Sequence, residues 1–367
     1  MKRVIRNPYA NVDWQTNGRH KANMHTHTTE SDGANTPAEM IDRYHDLGYT
    51  ILALTDHDTM GPQKPTWPWT DYGRDPEQLG MLAVGPSNEY SRPDHINGFW
   101  CDLWTQEDID NGLWAAHQSD IPWILNEVGE RGGLAQINHP GRYSRSDQFY
   151  LDLFDAYHPH TPGIEVYNKG NNYPADKPRW DRLLTAMRQE GETWPLWGTS
   201  VDDAHNVSGN MPVGRNFHIY LLPELTEAAL RQAMLDGAFY FVYDPQGATD
   251  ARHVNAEEED WWHAAPIINS INVTSEAITI DADQQTSTEW FTDDGTSVHV
   301  GDTLPLNTEG LGGYVRAELY GADSSVTHTQ PFFLTPWLAL RIGGQDRGVV
   351  RLRRDGQDIN LTDLRRP

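Results

Sequence analysis

The chain has a single cysteine, Cys101, among 367 residues. One thiol excludes an internal disulfide framework and any all-thiolate zinc site. A metal in this protein would be held by His, Asp and Glu. Lysine is also scarce, with five against 23 arginines. Acids outnumber bases 53 to 28, for a formal net charge of −25. That balance lacks the clustered basic surface that a phosphate backbone requires, so no nucleic-acid partner is expected. No apolar run reaches the length of a membrane span, so no membrane partner is expected. The leading residues Met1–Asn7 run into polar sequence without an apolar core. No secretory leader is read there, and a cytoplasmic location is the expectation. Aspartates outnumber glutamates 34 to 19. This fits either a salt-adapted host, where screening removes self-repulsion, or an ordinary acidic protein.

What is present is a core and a rhythm. Apolar residues make up 37% and include 14 tryptophans, enough for a sizeable interior. From about residue 20 to residue 245, short apolar runs alternate with longer amphipathic ones. Ile51–Thr55, Met81–Val84, Gly133–Ile137, Gly163–Tyr167, Trp194–Thr199 and Asn216–Leu222 read as strands. Pro37–Leu47, Trp123–Arg131, Lys177–Glu190 and Leu225–Asp236 read as helices. Thr36 suits a cap, Pro37 a first turn and Gly48 a stop. Strand and helix alternating in this way predict an α/β fold with a parallel sheet or barrel, and the number of units favours a barrel. Residues 1–250 are assigned to it. After the acidic run Ala256–Asp260, short alternating segments predict a small C-terminal all-β appendage over residues 265–367. Its last stretch, Gly343–Pro367, reads as a strand pair or a loose tail.

The chemistry-bearing residues follow the apolar runs. His25 and His27 stand two apart after a short strand-like run, and a strand puts such residues on one face. Asp32 follows past the turn. Ile51–Thr55 runs into Asp56-His57-Asp58, Met81–Val84 leads to Glu89, and Gly133–Asn138 ends in His139-Pro140. Trp197–Val201 ends in Asp202-Asp203-Ala204-His205. A parallel barrel gathers such ends on one face, and buried His and Asp are costly unless paired or metal-bound.

As a set, these motifs resemble the polymerase-and-histidinol-phosphatase (PHP) family of metal-dependent phosphoesterases. His25-Thr26-His27-Thr28 with Ser31-Asp32-Gly33 matches its first motif and Thr55-Asp56-His57-Asp58 its second. His139-Pro140 matches the third, and Ser200–His205 the fourth. The likeness spans roughly residues 20–245. It is nearest to the branch containing carbaryl hydrolases, where a Glu followed by a His recurs, here Glu89 and His95. The resemblance implies a distorted (β/α)7 barrel and two or three divalent metal ions, with Zn, Mn or Fe left open. It assigns His25, His27, Glu89 and Asp203 to one ion, Glu89, His95 and His139 to a second, and Asp32, His57 and His205 to a third. Asp202 beside Asp203 leaves open which of the two binds. Asp56 is expected to hold a ligand His by its free N–H. Two such ions generate a hydroxide that attacks the ester. Asp58 or His205 would protonate the leaving group.

Arg142, after His139-Pro140-Gly141, is expected to clamp a phosphate or else to be a turn residue. Arg215 carries the same ambiguity, and Tyr167-Asn168-Lys169 is placed at the rim. Trp67-Pro68-Trp69 reads as a lid or as loop packing. His45, His117, His158, His160 and His263 lie outside the pattern and read as ordinary. Trp290, Tyr314 and Trp337 read as core of the appendage. The expected activity is hydrolysis of a small-molecule phosphomonoester or phosphodiester. A carboxylic or carbamate ester is the alternative at the same metals. A binding protein built on a relic barrel is the third reading.

Overall fold

The computed structural model describes residues 2–60, 64–117, 119–189, 195–208, 213–247, 265–322 and 324–336, with two short strands at 352–354 and 357–359. The first strands are β1 (Lys2–Arg6) and β2 (Gly18–Asn23), followed by α1 (Pro37–Asp46). Thr36 caps α1 in a reciprocal box with Glu39, Pro37 opens it, and Met40, Ile41 and Tyr44 form its buried face. Gly48, at φ 73°, takes the left-handed turn that ends it. Then come β3 (Ile51–Ala53), α2 (Pro76–Leu79), β4 (Leu82–Val84), β5 (Ser87–Tyr90) and β6 (Ile96–Phe99). Helices α3 (Gln106–Asp110), α4 (Leu113–His117) and α5 (Ile121–Glu130) lead to β7 (Leu134–Ile137), α6 (Asp147–Tyr157) and β8 (Gly163–Asn168). The α/β part closes with α7 (Asp176–Gln189), β9 (Trp197–Val201), β10 (Asn216–Leu222), α8 (Glu227–Asp236) and β11 (Phe239–Tyr243).

The fold is mixed α/β. Strands β2, β3 and β4 pair in parallel, as do β7, β8 and β9. The expected barrel is met in part. The described strands form two main sheets rather than one closed ring of pairings. Strand β6 runs antiparallel to both β5 and β7. The link between β5 and β6 is far shorter than the dozen or more residues a parallel crossover needs. Strand β10 is likewise antiparallel to β2 and β11. Two isolated bridges, Thr26 to Ala204 and His57 to Glu89, join the ends of the two sheets where the candidate ligands lie.

Beyond residue 265 the described chain is built of strands, with one 3-10 turn at Asp293–Gly295. It forms β12 (Ile267–Val273), β13 (Ala277–Asp283), β14 (Gln285–Thr292), β15 (Thr296–Val300), β16 (Thr303–Pro305), β17 (Tyr314–Gly321), β18 (Val326–His328) and β19 (Phe332–Pro336). Strand β18 pairs with β11 and β19 with β1, so these strands extend the sheet that contains β10 and β2. Residues 1–336 make one compact unit. A second unit begins at Trp337, and in it β20 (Leu352–Arg354) and β21 (Gln357–Ile359) form an antiparallel pair. The acidic run 256–260 and Trp337 lie outside the described residues.

Two buried clusters fill the interior. One gathers Ile96, Leu134, Ile164, Trp180 and Val201 under α5, α6 and α7. The other gathers Met40, Ile41, Leu52, Ile219, Val242, Trp290 and Leu319. Each fully buried aliphatic side chain contributes about 1.5–3 kcal/mol. Trp290 and Tyr314 are core, as expected. A buried ion-pair network also spans the α/β and all-β parts. Arg316 on β17 grips Asp181 on α7 through two bonds of 2.7 and 2.8 Å, and Glu318 at 2.6 Å.

Candidate metal centre

The candidate ligands sit at strand ends. His25 and His27 follow β2, His57 follows β3, His139 follows β7, and Asp203 and His205 follow β9. Glu89 differs from the sequence expectation: it lies inside β5 rather than just past the Met81–Val84 run. Three successive parallel strands end in one way. Asn138, Asn168 and Asp202 are each followed by a non-glycine residue in the left-handed region, His139 at φ 27°, Lys169 at 47° and Asp203 at 46°. Such conformations cost of order 1–3 kcal/mol each and gather at functional sites.

The nine residues expected as ligands converge. His25 Nε2 and His27 Nε2 lie 3.1 Å apart. Glu89 Oε2 is 3.3 and 3.2 Å from these two nitrogens, and Asp203 Oδ1 is 3.4 and 3.1 Å from them. These four atoms edge a hole in which each carboxylate oxygen lies within 3.4 Å of both imidazole nitrogens. Beyond this hole, His95 Nδ1 and His139 Nε2 approach Glu89 Oε1 at 2.8 and 3.3 Å. Asp32 lies 3.3 Å from His205 Nε2 and 3.6 Å from His57 Nε2. Three groups could each hold a metal ion: His25, His27 and Asp203; His57, Glu89 and His95; and His27, Asp32, His57 and His205. The division differs from that implied by the resemblance: Glu89 falls with His57 and His95 rather than with His25, His27 and Asp203, His139 falls in none of the three groups, and His27 joins Asp32, His57 and His205.

The donor set fits a cation. Both ring nitrogens of His139 and Nδ1 of His27 are buried without a hydrogen-bond partner. Burial alone would lower the pKa of His25, yet Asp203, Glu89 and Glu165 outweigh it and hold the ring well above its usual value. Burial alone would likewise raise Glu89, but His25 and His95 hold its carboxyl well below the usual range. Asp203 is lowered in the same way, against its burial, chiefly by His25 and His27. Burial opposes the charge of His57 too, but bonds to Asp32 and Glu89 lift it to about 10. The pattern is that of a site that stabilises positive charge at its centre. The nitrogens and hard oxygens suit Zn, Mn or Fe.

Behind the ligands, the structure corrects one assignment. Asp56 holds no histidine. It takes the Thr28 N–H at 2.7 Å, the Thr28 hydroxyl at 2.8 Å and the Ser31 hydroxyl at 2.6 Å, and so pins the turn between His27 and Asp32. The carboxylate that orients a histidine is Glu165 on β8. It sits 2.8 Å from His25 Nδ1 and accepts the His139 N–H at 2.7 Å. With Nδ1 so engaged, His25 turns Nε2 to the centre. Sequence reasoning passed over Glu165, though a lone charge inside the apolar run Gly163–Tyr167 was the available signal. The two adjacent acids have different partners. Asp202 accepts the backbone N–H groups of Gly214, Arg215 and Asn216 and the Tyr44 hydroxyl, while Asp203 faces the histidines.

A cavity of about 310 Å³ opens over the cluster, lined by Asp32, His57, Glu89, His95, Asp203 and His205 and by the cations Arg92, Arg142 and Lys169. Lys169 Nζ is 3.2 Å from Asp203 Oδ2. Asp58 is not among the lining residues. It is 1% exposed and takes the Ser91 N–H and the Trp104 indole N–H, and burial pushes its carboxyl up to about 6. Arg215 does not line the cavity either. Trp69 is buried and Trp67 packs against Gly85, so this loop is packing rather than a stacking wall. His45 is exposed and His158 half-buried, His117 stacks on Trp123, and His160 packs on Gly129. His263 lies outside the described residues. Among the described residues, no helix is long and apolar enough to cross a membrane.

No family model and no curated protein matches the chain. Solved structures do. One is a two-domain protein containing a predicted PHP-like metal-dependent phosphoesterase from Bacteroides vulgatus. It is 16% identical over 90% of this chain and 98% of that one, with a TM-score of 0.49. An amidohydrolase from Chromobacterium violaceum is 21% identical over 59% of this chain and 96% of that one, at TM-score 0.39. A lesion-specific endonuclease from Pyrococcus furiosus is 14% identical over 59% of this chain and 56% of that one, also at 0.39. Likenesses of this size leave the functional reading to the chain's own side chains.

Proposed function

We propose that the chain is a metal-dependent hydrolase of small-molecule phosphomonoesters or phosphodiesters, of the PHP type that its motifs resemble. The observation that carries this reading is the buried convergence of His25, His27, Glu89 and Asp203, in which both carboxylates lie 3.1 to 3.4 Å from both imidazole nitrogens. Divalent ions bound here would supply Lewis-acid charge and acidify water at neutral pH. The chain's own residues do the rest. Glu165 fixes the His25 ring. His205 directs Nδ1 to the Asp203 carbonyl at 2.9 Å, which leaves Nε2 for the side facing Asp32. Arg142 and Lys169 bind the oxygens of an anionic substrate. Of the two groups expected to protonate the leaving group, His205 reaches the cavity and Asp58 is drawn into its wall.

Three cations at a cavity over a carboxylate-rich floor favour an anionic phosphoester over a neutral carboxylic or carbamate ester. The test is a panel of p-nitrophenyl phosphate, bis(p-nitrophenyl) phosphate, p-nitrophenyl acetate, a p-nitrophenyl carbamate and a single-stranded oligonucleotide. Each is assayed with added Mn or Zn and again after chelation. The reading expects turnover of the small phosphoesters that chelation abolishes. Turnover of the neutral esters alone, or rates indifferent to chelator, would overturn it.

A further inference from the structure

The two carboxylates of the hole share one arrangement. Glu89 Oε2 and Asp203 Oδ1 face His25 and His27, while their other oxygens are held from behind by neutral amides. Asn138 Nδ2 donates to Glu89 Oε1 at 2.8 Å, and Asn168 Nδ2 donates to Asp203 Oδ2 at 3.1 Å. Both asparagines are at most 1% exposed. Both are themselves fixed, Asn138 by its bond to Asn97 Oδ1 at 2.9 Å and Asn168 by its bond to Glu165 Oε2 at 2.9 Å. Each stands at the end of a parallel strand, immediately before a left-handed residue.

We propose that Asn138 and Asn168 are paired positioning residues that set the rotation of the Glu89 and Asp203 carboxylates. This inference rests on the reading of the cluster as a metal centre. A carboxylate is free to turn about its last bond. Donating to its outer oxygen fixes that rotation and presents the inner oxygen to the hole. Once histidine nitrogens turn their lone pairs to a cation, they no longer donate to Glu89. Asn138 is then the hydrogen-bond donor that still holds it. A neutral amide does this without adding negative charge to a centre that already holds Glu89, Asp203 and Glu165. A carboxylate in either place would accept where a donor is needed and would repel the ligand it touches. The chemistry therefore requires an amide N–H at both positions.

The test uses Asn138→Leu and Asn168→Leu, which keep the branched shape and remove the donor, with the smaller Asn138→Ser and Asn168→Ser should either fail to fold. Asn216→Leu is the control. Its amide is equally buried and bonds Gly170 and Ser200 but touches no ligand. Metal affinity is read by chelator competition, and site geometry by the visible spectrum of the Co(II)-loaded chain. Loss of an orienting partner is expected to weaken metal binding about 10–100-fold. The Co(II) bands should shift in both asparagine variants, while Asn216→Leu stays within about twofold of the parent. Unchanged affinity and spectrum in the asparagine variants, or an equal loss in Asn216→Leu, overturns the proposal. A parent chain that binds no metal at all would instead overturn the functional reading beneath it.

Discussion

Asp202 and Asp203 are neighbours, both nearly buried, and the structure predicts opposite consequences for removing each charge. In Asp203→Asn the outer atom must still accept from Asn168 at 3.1 Å and Lys169 at 3.2 Å. Only the carboxamide oxygen can accept, so the NH2 is turned towards His25 and His27, where Oδ1 now stands 3.4 and 3.1 Å away. One corner of the hole becomes a donor and loses its charge. Outer-shell losses cost 10–100-fold in metal affinity, so losing a corner should cost at least about 100-fold, roughly 3 kcal/mol. In Asp202→Asn the hole is intact. What suffers is the acceptor of three backbone N–H groups at 2.7, 3.0 and 2.9 Å, at a cost of about 1–3 kcal/mol in folding stability. Elemental analysis and chelator titration read the first effect, and urea midpoints read the second. If Asp202→Asn loses metal while Asp203→Asn keeps it, the assignment of the two acids is refuted.

Three further outcomes follow from the same geometry. Burial lifts Asp176 from 3.8 to about 8, although it accepts the Gly141 N–H. The folded chain then holds a proton that the unfolded chain releases, so stability falls as pH rises from about 4 to 8. Relative to Asp176→Asn, urea midpoints should show the parent losing up to about 1.4 kcal/mol per pH unit in that window, and parallel curves would contradict it. Asp181→Leu should destabilise by about 3–5 kcal/mol by leaving buried Arg316 to share Glu318 with Lys177, whereas the double change Asp181→Leu with Arg316→Leu, in which Glu318 keeps Lys177, should recover part of the loss in the same assay. Arg142→Ala and Lys169→Ala should each raise KM for p-nitrophenyl phosphate about tenfold or more while leaving neutral esters unaffected, and equal effects on both would remove their role as anion contacts.

The sequence was most legible where chemistry and local rules agree. The cap, proline and glycine around α1 mark a helix that the structure bounds within one residue. The candidate histidines His25, His27, His57, His139 and His205 could be picked out because each follows a strand-like run, and β2, β3, β7 and β9 bring them together as that pattern predicts, whereas His95, between β5 and β6, was legible through the family resemblance alone. Strand direction was not legible. Period-two patterning reports burial and not partner, so the antiparallel β6 and the antiparallel placement of β10 could not be read from it. Nor could the pairing of β18 with β11, which carries the late strands into the earlier sheet. At the site, the residues that converge were legible but the supporting partners were not. Asp56 and Glu165 are both acids near histidines, and only the three-dimensional register shows that Asp56 reaches a turn and Glu165 reaches His25. Asn138 and Asn168 look like ordinary strand-end amides until their partners are known.

The claim on which the rest depends is that this cluster holds divalent cations that the reaction requires. Elemental analysis of chain purified without chelators, run beside hydrolysis assays on the same sample, tests it most directly. The account predicts two to three equivalents of Zn, Mn or Fe per chain, with loss of both metal and turnover in His25→Ala and His57→Ala. Protein that carries no metal and still hydrolyses phosphoesters at the full rate would contradict it.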